Sequence, residues 1–107
     1  MIITTTETVP NKEVEEVLGV VTGNIVQSKH IGRDVMAGLK TIVGGEIRGY
    51  TEMLTESRNI AIERITAAAQ EKGADAVVGM RFTTSSVMER SAEIMVFGTA
   101  VKLKDKE

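Results

Sequence analysis

The sequence predicts an α+β fold in which two helices pack on one face of a mainly antiparallel sheet, in the order β-β-α-α-β-β. Three observations predict it. A segment rich in β-branched residues spans 14–31, a helical repeat of apolar residues follows it, and two strand-like segments close the chain as a hairpin. At 107 residues the chain is long enough for one domain, residues 1–107, with its own core.

The first part of the chain is predicted to form strands. Ile2–Ile3 is a short apolar stretch suited to an edge strand, and Pro10 marks a turn after it. Segment 14–31 is either one long, curved strand or two strands run together. Gly19 and Gly23 are the expected positions of bulges or bends within it.

The first predicted helix begins near Asp34, whose carboxylate suits the positive end of a helix dipole. One face of this helix would carry Val35, Leu39 and Ile42. Gly44 and Gly45 are expected to end it, because glycine readily adopts the left-handed conformation common at helix ends.

A second, longer helix is predicted to run to Lys72 and to stop at Gly73. Its apolar stripe consists of Tyr50, Leu54, Ala61, Ile65 and Ala68. Arg58 lies within about 40° of that stripe at ~100° per residue. The simplest expectation is an arginine that extends to the rim of the core, and the alternative is a buried, functional ion pair.

The end of the chain is predicted to be a β-hairpin with a polar turn at 89–91. In its first strand, Val78, Met80 and Phe82 are expected on one side. The returning strand is apolar on both faces, with Ile94, Val96 and Ala100 opposing Met95, Phe97, Val101 and Leu103. A one-sided antiparallel sheet alternates apolar with polar residues, so a second copy of the chain is expected to cover the face that the helices leave free.

Composition limits the function classes. A net charge of −2 argues against a nucleic-acid binder. The absence of cysteine excludes disulfides and thiolate chemistry. No apolar run approaches the ~20 residues of a membrane span and no signal peptide is apparent, so a soluble, cytoplasmic protein is expected.

Several motifs resemble those of the YbjQ family of small bacterial and archaeal proteins. They are IGRD at 31–34, AGLKTIVGGE at 37–46, YTEML at 50–54, GADAVVG at 73–79 and FGTAV at 97–101. The resemblance covers nearly the whole chain. It implies a dodecin-like subunit that assembles as a ring, commonly a homopentamer. The family carries a heavy-metal-binding label but no established activity, so it supplies no residue roles.

A metal site can be weighed against the residues that are present. The chain has no cysteine and a single histidine, so one copy cannot build a Cys/His site of the usual kind. In a ring, however, copies of His30 or Glu46 would converge on the symmetry axis and could together hold a divalent metal ion. The methionines are spaced as core residues rather than as a thioether site.

An enzyme is the first alternative, with an acid/base site between subunits around His30, Asp34 and Glu46. No nucleophile elbow, phosphate loop or metalloprotease helix is present, so catalysis is not the favoured hypothesis. A purely structural scaffold is the second alternative. The favoured function is a ligand- or ion-binding ring with its site near the subunit interfaces. The candidate ligand or interface residues are Arg33, Asp34, Lys40, Gly44, Gly45, Glu46, Tyr50 and Arg58.

Overall fold

The computed structural model describes residues 1–28, 42–43, 46–88 and 91–107. Its elements are β1 (Ile2–Ile3), β2 (Lys12–Ser28), β3 (Ile42–Val43), β4 (Glu46–Ile47), α1 (Arg48–Glu71), β5 (Ala76–Met88) and β6 (Ser91–Asp105). The α+β class is therefore confirmed. One helix, rather than the predicted two, lies in the part of the chain that the structure describes.

Four strands form the main sheet in the order β1-β5-β6-β2. β6 lies at its centre and pairs antiparallel with both β5 and β2, while β1 runs parallel to β5 at its edge. The edge position predicted for Ile2–Ile3 is thus confirmed. β2 is the longest strand, with 17 residues, and the described residues leave its outer edge unpaired.

The predicted first helix falls mostly on residues outside the described ranges, but its predicted last turn is wrong. Ile42 pairs with Ile47 and Val43 pairs with Glu46 in a separate two-stranded sheet. Both Ile42 and Val43 are β-branched, and such residues favour strands over helices. The chain therefore makes a short hairpin directly before α1.

α1 ends as the sequence predicts. Gly73 has a φ of 77°, and its N–H donates to the carbonyl of Gln70. The next N–H, of Ala74, reaches back to the carbonyl of Ala69. This pair of bonds is a Schellman motif, which needs a residue that tolerates positive φ.

The helix packs on β2 and β6 through small side chains. Ala61, Ile65 and Ala69 are fully buried at successive turns and share one core cluster with strand residues. Gly23 lies beneath them, and a Cβ at this position would lie under 3.0 Å from the backbone of Ala61 and Ile65. Gly23 thus permits a close helix–strand approach, whereas the bulge predicted there is absent from the register of β2.

The buried stripe of α1 is shifted from the predicted one. Ser57 is fully buried, whereas Leu54 remains exposed. The Ser57 hydroxyl donates to the carbonyl of Met53 at 2.8 Å, so burial leaves it hydrogen-bonded. The stripe therefore runs through Ser57, Ala61, Ile65 and Ala69 at intervals of four.

A bulge in β5 changes which side chains share a face. Val78 pairs with Thr99 but Arg81 pairs with Phe97, so two residues, Gly79 and Met80, oppose one. Gly79 has a φ of 63°, as some bulges require. The expectation that Val78 and Phe82 lie on one side is therefore wrong: Val78 belongs to the cluster on the outer face.

Among the residues that the structure describes, the second face of the sheet has one small buried cluster. Ala76, Val78 and Val101 are buried there, with Val9 and Leu103 packed against them. This confirms that β6 is apolar on both faces. The cluster covers one end of the face and leaves the rest exposed.

Candidate functional site

A cavity of about 380 Å³ lies between the first half of α1 and the β5–β6 hairpin. Helix residues form one wall and strand residues form the other. The lining residues are Leu54, Arg58, Phe82, Thr84, Ala92 and Ile94.

The periodicity of each element places these side chains together. Leu54 and Arg58 are four residues apart and so share a face of α1. Thr84 pairs directly with Ile94, so their side chains point to the same side of the sheet. Phe82, two residues before Thr84, lies on this side as well.

The cavity lies where α1 is not packed closely on the sheet. α1 packs tightly through Ala61 and Ile65, which lie over β2 and β6. In the N-terminal half of α1, Leu54 does not pack onto β5. Leu54 and Phe82 are each 39% exposed, although both are large and apolar.

The cavity carries a single charged group among its described lining residues. Arg58 is exposed, and it makes no ion pair with the described residues. Two other arginines with described side chains are engaged: Arg64 donates to the carbonyl of Asn24 at 2.6 Å, and Arg81 donates to that of Thr5 at 2.8 Å. Among the described residues, then, Arg58 presents a guanidinium without an ion-pair partner beside apolar walls.

A second concavity, of about 500 Å³, lies at the turn before β2, and Asn11, with a φ of 64°, is part of that turn. Lys12, at its edge, is paired with Asp105. The hydrogen bond from Lys12, together with its charge, lowers the pKa of the Asp105 carboxyl. The lining also holds Glu13 and Lys106, so this concavity combines a paired ammonium with an acidic group and is a weaker candidate for an anion site.

The outer face of the sheet is the other feature with functional meaning. Val17, Val20 and Val26 are 64%, 71% and 54% exposed, and Phe97 is 36% exposed. Pairing with β6 places all four on the face away from α1. We call these four residues the outer apolar band.

Most candidate residues named from the sequence lie outside the described ranges. These are His30, Arg33, Asp34, Lys40, Gly44 and Gly45. Glu46 lies in β4 and Tyr50 in α1, but the described structure of these two residues is confined to the backbone. Arg58 alone can be placed by its side chain, at the rim of the cavity.

The hairpin wall of the cavity was not identified from the sequence. The alternation in the sequence places Phe82 on one side of its strand together with Val78 and Met80, and it does not distinguish Thr84 or Ala92. The available signal was Arg58 itself, a charge placed in an apolar stripe. The lining residues opposite Arg58 lie in strands that follow α1 in the chain. The side of the sheet on which the β5 residues lie depends on the bulge at Gly79.

Comparisons with known proteins agree with the resemblance in the sequence. A model of the YbjQ family, described as "Putative heavy-metal-binding", matches residues 1–104. The chain belongs to the YbjQ family.

Relatives in this family include a UPF0145 protein of Colwellia psychrerythraea, 75% identical over 104 residues, which make up 97% of this chain and 99% of the relative. A UPF0145 protein of Thermotoga maritima is 62% identical over 104 residues, covering 97% of this chain and 98% of the relative. A solved structure of a Pediococcus pentosaceus protein of unknown function matches 97% of this chain and 98% of that chain. Its TM-score is 0.61 at 15% identity, which supports the fold alone.

The described residues of this YbjQ-family chain do not suit a heavy-metal site. Among them, no three His, Cys, Asp or Glu side chains come together. Soft and borderline metals favour thiolate and imidazole ligands, and the sequence has no cysteine and one histidine. In the same ranges, no helix is long and apolar enough to cross a membrane.

Proposed function

We propose that the chain assembles with copies of itself into a closed ring, a homopentamer as the family resemblance implies, which binds a small ligand beside its subunit interfaces. The observation that carries this proposal is the outer apolar band. Three valines and a phenylalanine on one sheet face are costly to leave in water, at about 25 cal/mol per Å² of apolar surface. Thr22 and Asn24 lie between Val20 and Val26 on this face, so the band mixes apolar with polar residues, as the surfaces of protein interfaces do.

The two edges of the sheet support a ring rather than a simple dimer. At one edge, the outer side of β2 has no strand partner among the described residues. At the other, β1 and the segment after it cover β5 only as far as Met80, and residues 81–86 are exposed. Two different edges that meet head to tail form a heterologous contact, and repeated contacts of this kind form a ring when the rotation between subunits closes.

The shape of the subunit also favours assembly. Its radius of gyration is 17.2 Å, against about 13 Å for a compact domain of this length. The excess reflects long strands that extend past the helix, with principal dimensions of 57 × 29 × 17 Å. An extended hairpin of this kind gains burial when a neighbouring subunit packs against it.

The assembly is tested with a charge in the outer apolar band. In Val20→Asp, a carboxylate would be desolvated at the interface without a partner, at a cost of several kcal/mol. Native mass spectrometry of the wild type should give one species of about five chain masses, and Val20→Asp should give monomers. Asn59→Asp adds the same charge to an exposed position of α1 and should leave the assembly intact.

Circular dichroism of Val20→Asp separates loss of assembly from loss of folding. Val20 is 71% exposed in the subunit, so the variant chain should retain its helix and strands. A wild-type protein that remains monomeric at micromolar concentration would overturn the ring. So would a Val20→Asp variant that assembles like the wild type.

The same spectra test the ligand. A mass above that of the assembled chains identifies a bound molecule. Spectra recorded after addition of each of a set of metal ions test whether the ring binds an ion. In the ion-binding form of the proposal, copies of His30 or of Glu46 supply the ligands. If His30 supplies them, His30→Ala should abolish stoichiometric metal uptake. Uptake that is unchanged in His30→Ala would eliminate the imidazole site.

A further inference from the structure

The cavity between α1 and the hairpin has the size and walls of a small-molecule site. Its volume of about 380 Å³ lies within the range of roughly 300–1,000 Å³ that ligand pockets occupy. Leu54, Phe82 and Ile94 give it apolar walls on both the helix and the sheet side. A ligand with an apolar body would gain from contact with these walls.

Arg58 gives this apolar cavity a preference for a negatively charged ligand. The guanidinium is planar, permanently charged and able to bind a carboxylate through two parallel hydrogen bonds. Neither Asp nor Glu is among the described lining residues, so none of those residues repels an incoming anion. The Thr84 hydroxyl is a further polar group in the same lining.

Other ligand classes suit this arrangement less well. A metal ion would need several anionic or imidazole donors, and the described lining supplies none. A polyanion such as a nucleotide needs more than one cation to offset its charge. An apolar side chain from a second copy would fill the walls but would leave the guanidinium without a partner.

We propose that this cavity binds a small organic monoanion with an apolar body, of the chemistry of a medium-chain carboxylate, and that Arg58 pairs with its anionic group. This inference rests on the proposed function, because it names the ligand class of the binding module. The apolar body lies against Leu54, Phe82 and Ile94.

The test is a titration of the methyl-labelled wild-type protein followed by NMR. Hexanoate and octanoate should shift the methyl resonances of Leu54, Ala92 and Ile94, and the affinity should rise about fourfold for each added CH₂. Acetate, which lacks the apolar body, should bind far more weakly. Octanol, which lacks the charge, should bind less tightly than octanoate.

Arg58→Gln removes the charge and keeps much of the side-chain length. Octanoate affinity should fall roughly tenfold in this variant, as expected for loss of a hydrogen bond to a charged group, while octanol affinity should not change. Lys72→Gln is the matched control, since it removes an exposed cation just past the end of the same helix. Its octanoate affinity should equal that of the wild type.

Three results would overturn the inference. They are equal binding of octanol and octanoate, octanoate shifts confined to methyl groups outside the cavity, and octanoate affinity that is unchanged in Arg58→Gln. Resonances of the cavity that shift on dilution, with no response to octanoate, would instead assign it to a neighbouring subunit.

Failure here can be told apart from failure of the proposed function. A ring that retains another molecule or a metal in native mass spectra, without a response to octanoate, overturns this inference and leaves the ring intact. A monomer that binds octanoate through Arg58 overturns the ring and leaves the cavity assignment intact.

Discussion

Gly23→Ala is the most direct test of how α1 packs on the sheet. The added Cβ would lie closer than 3.0 Å to the carbonyl oxygen of Ala61 and to the amide nitrogen of Ile65, and 3.1 Å from the carbonyl carbon of Arg64. All three atoms belong to the helix backbone and cannot rotate away. To restore ordinary contact at 3.4–4 Å, the helix must move outward.

The loss of stability follows from the core contacts that this movement of the helix would loosen. Overpacking by one methyl group usually costs 1–3 kcal/mol when side chains can adjust. Here the fully buried Ala61, Ile65 and Ala69 would all withdraw from the sheet, so the upper end, about 3 kcal/mol, is expected. For a domain of this size that lowers the melting temperature by roughly 12–24 °C.

Gly19→Ala is the control, because a Cβ at Gly19 meets no atom within 4 Å. The φ of Gly19 is 113°, so this variant carries only the backbone penalty of a side chain at positive φ, about 1–2 kcal/mol. Urea unfolding at one fixed protomer concentration would measure both variants. Wild-type stability in Gly23→Ala, or a larger loss in Gly19→Ala, would refute the close approach of helix and strand.

Three further predictions concern stability. Asp105→Asn should cause a small loss of stability at neutral pH, because Lys12 lowers the pKa of the Asp105 carboxyl in the folded chain. The difference in unfolding free energy from wild type should be present above the unfolded pKa of this carboxyl and should vanish as the pH falls through its folded pKa. Urea unfolding at pH 7 and pH 2 would check this. Ser57→Ala should stay within about 0.5 kcal/mol of wild type by the same method, since Met53 keeps its helical hydrogen bond and alanine favours helix; a larger loss would show that the hydroxyl is required. Ile65→Ala should cost about 2–5 kcal/mol by opening the core, and an unchanged melting temperature would contradict its burial.

Much of the fold could be predicted because local patterns encode it. The β-branched run of β2 and the apolar residues of β5 and β6 identify the long strands, and Gly73 identifies the helix end. Those features depend on neighbours a few residues away. The predicted helix at Ile42 failed because helical spacing over so few apolar residues does not outweigh the β-branched pair at 42–43.

The candidate site was predictable only in part. Arg58 stood out because its charge interrupts an apolar stripe, and this depends on the sequence of α1 alone. The opposite wall, formed by Phe82, Thr84 and Ile94, depends on strand register. One extra residue at the β5 bulge moves every later side chain to the other face, and periodicity alone does not locate that residue.

The sequence by itself determined the class of fold, the long strands, the end of α1 and the two-faced apolar character of β6, because each follows from composition and spacing along one element. The tertiary structure decided the contact of Gly23 with Ala61, the burial of Ser57 in place of Leu54 and the placement of Arg58 and Phe82 around one cavity. Gly23 and Ala61 are 38 positions apart in the chain, and all three features depend on the packing of whole elements.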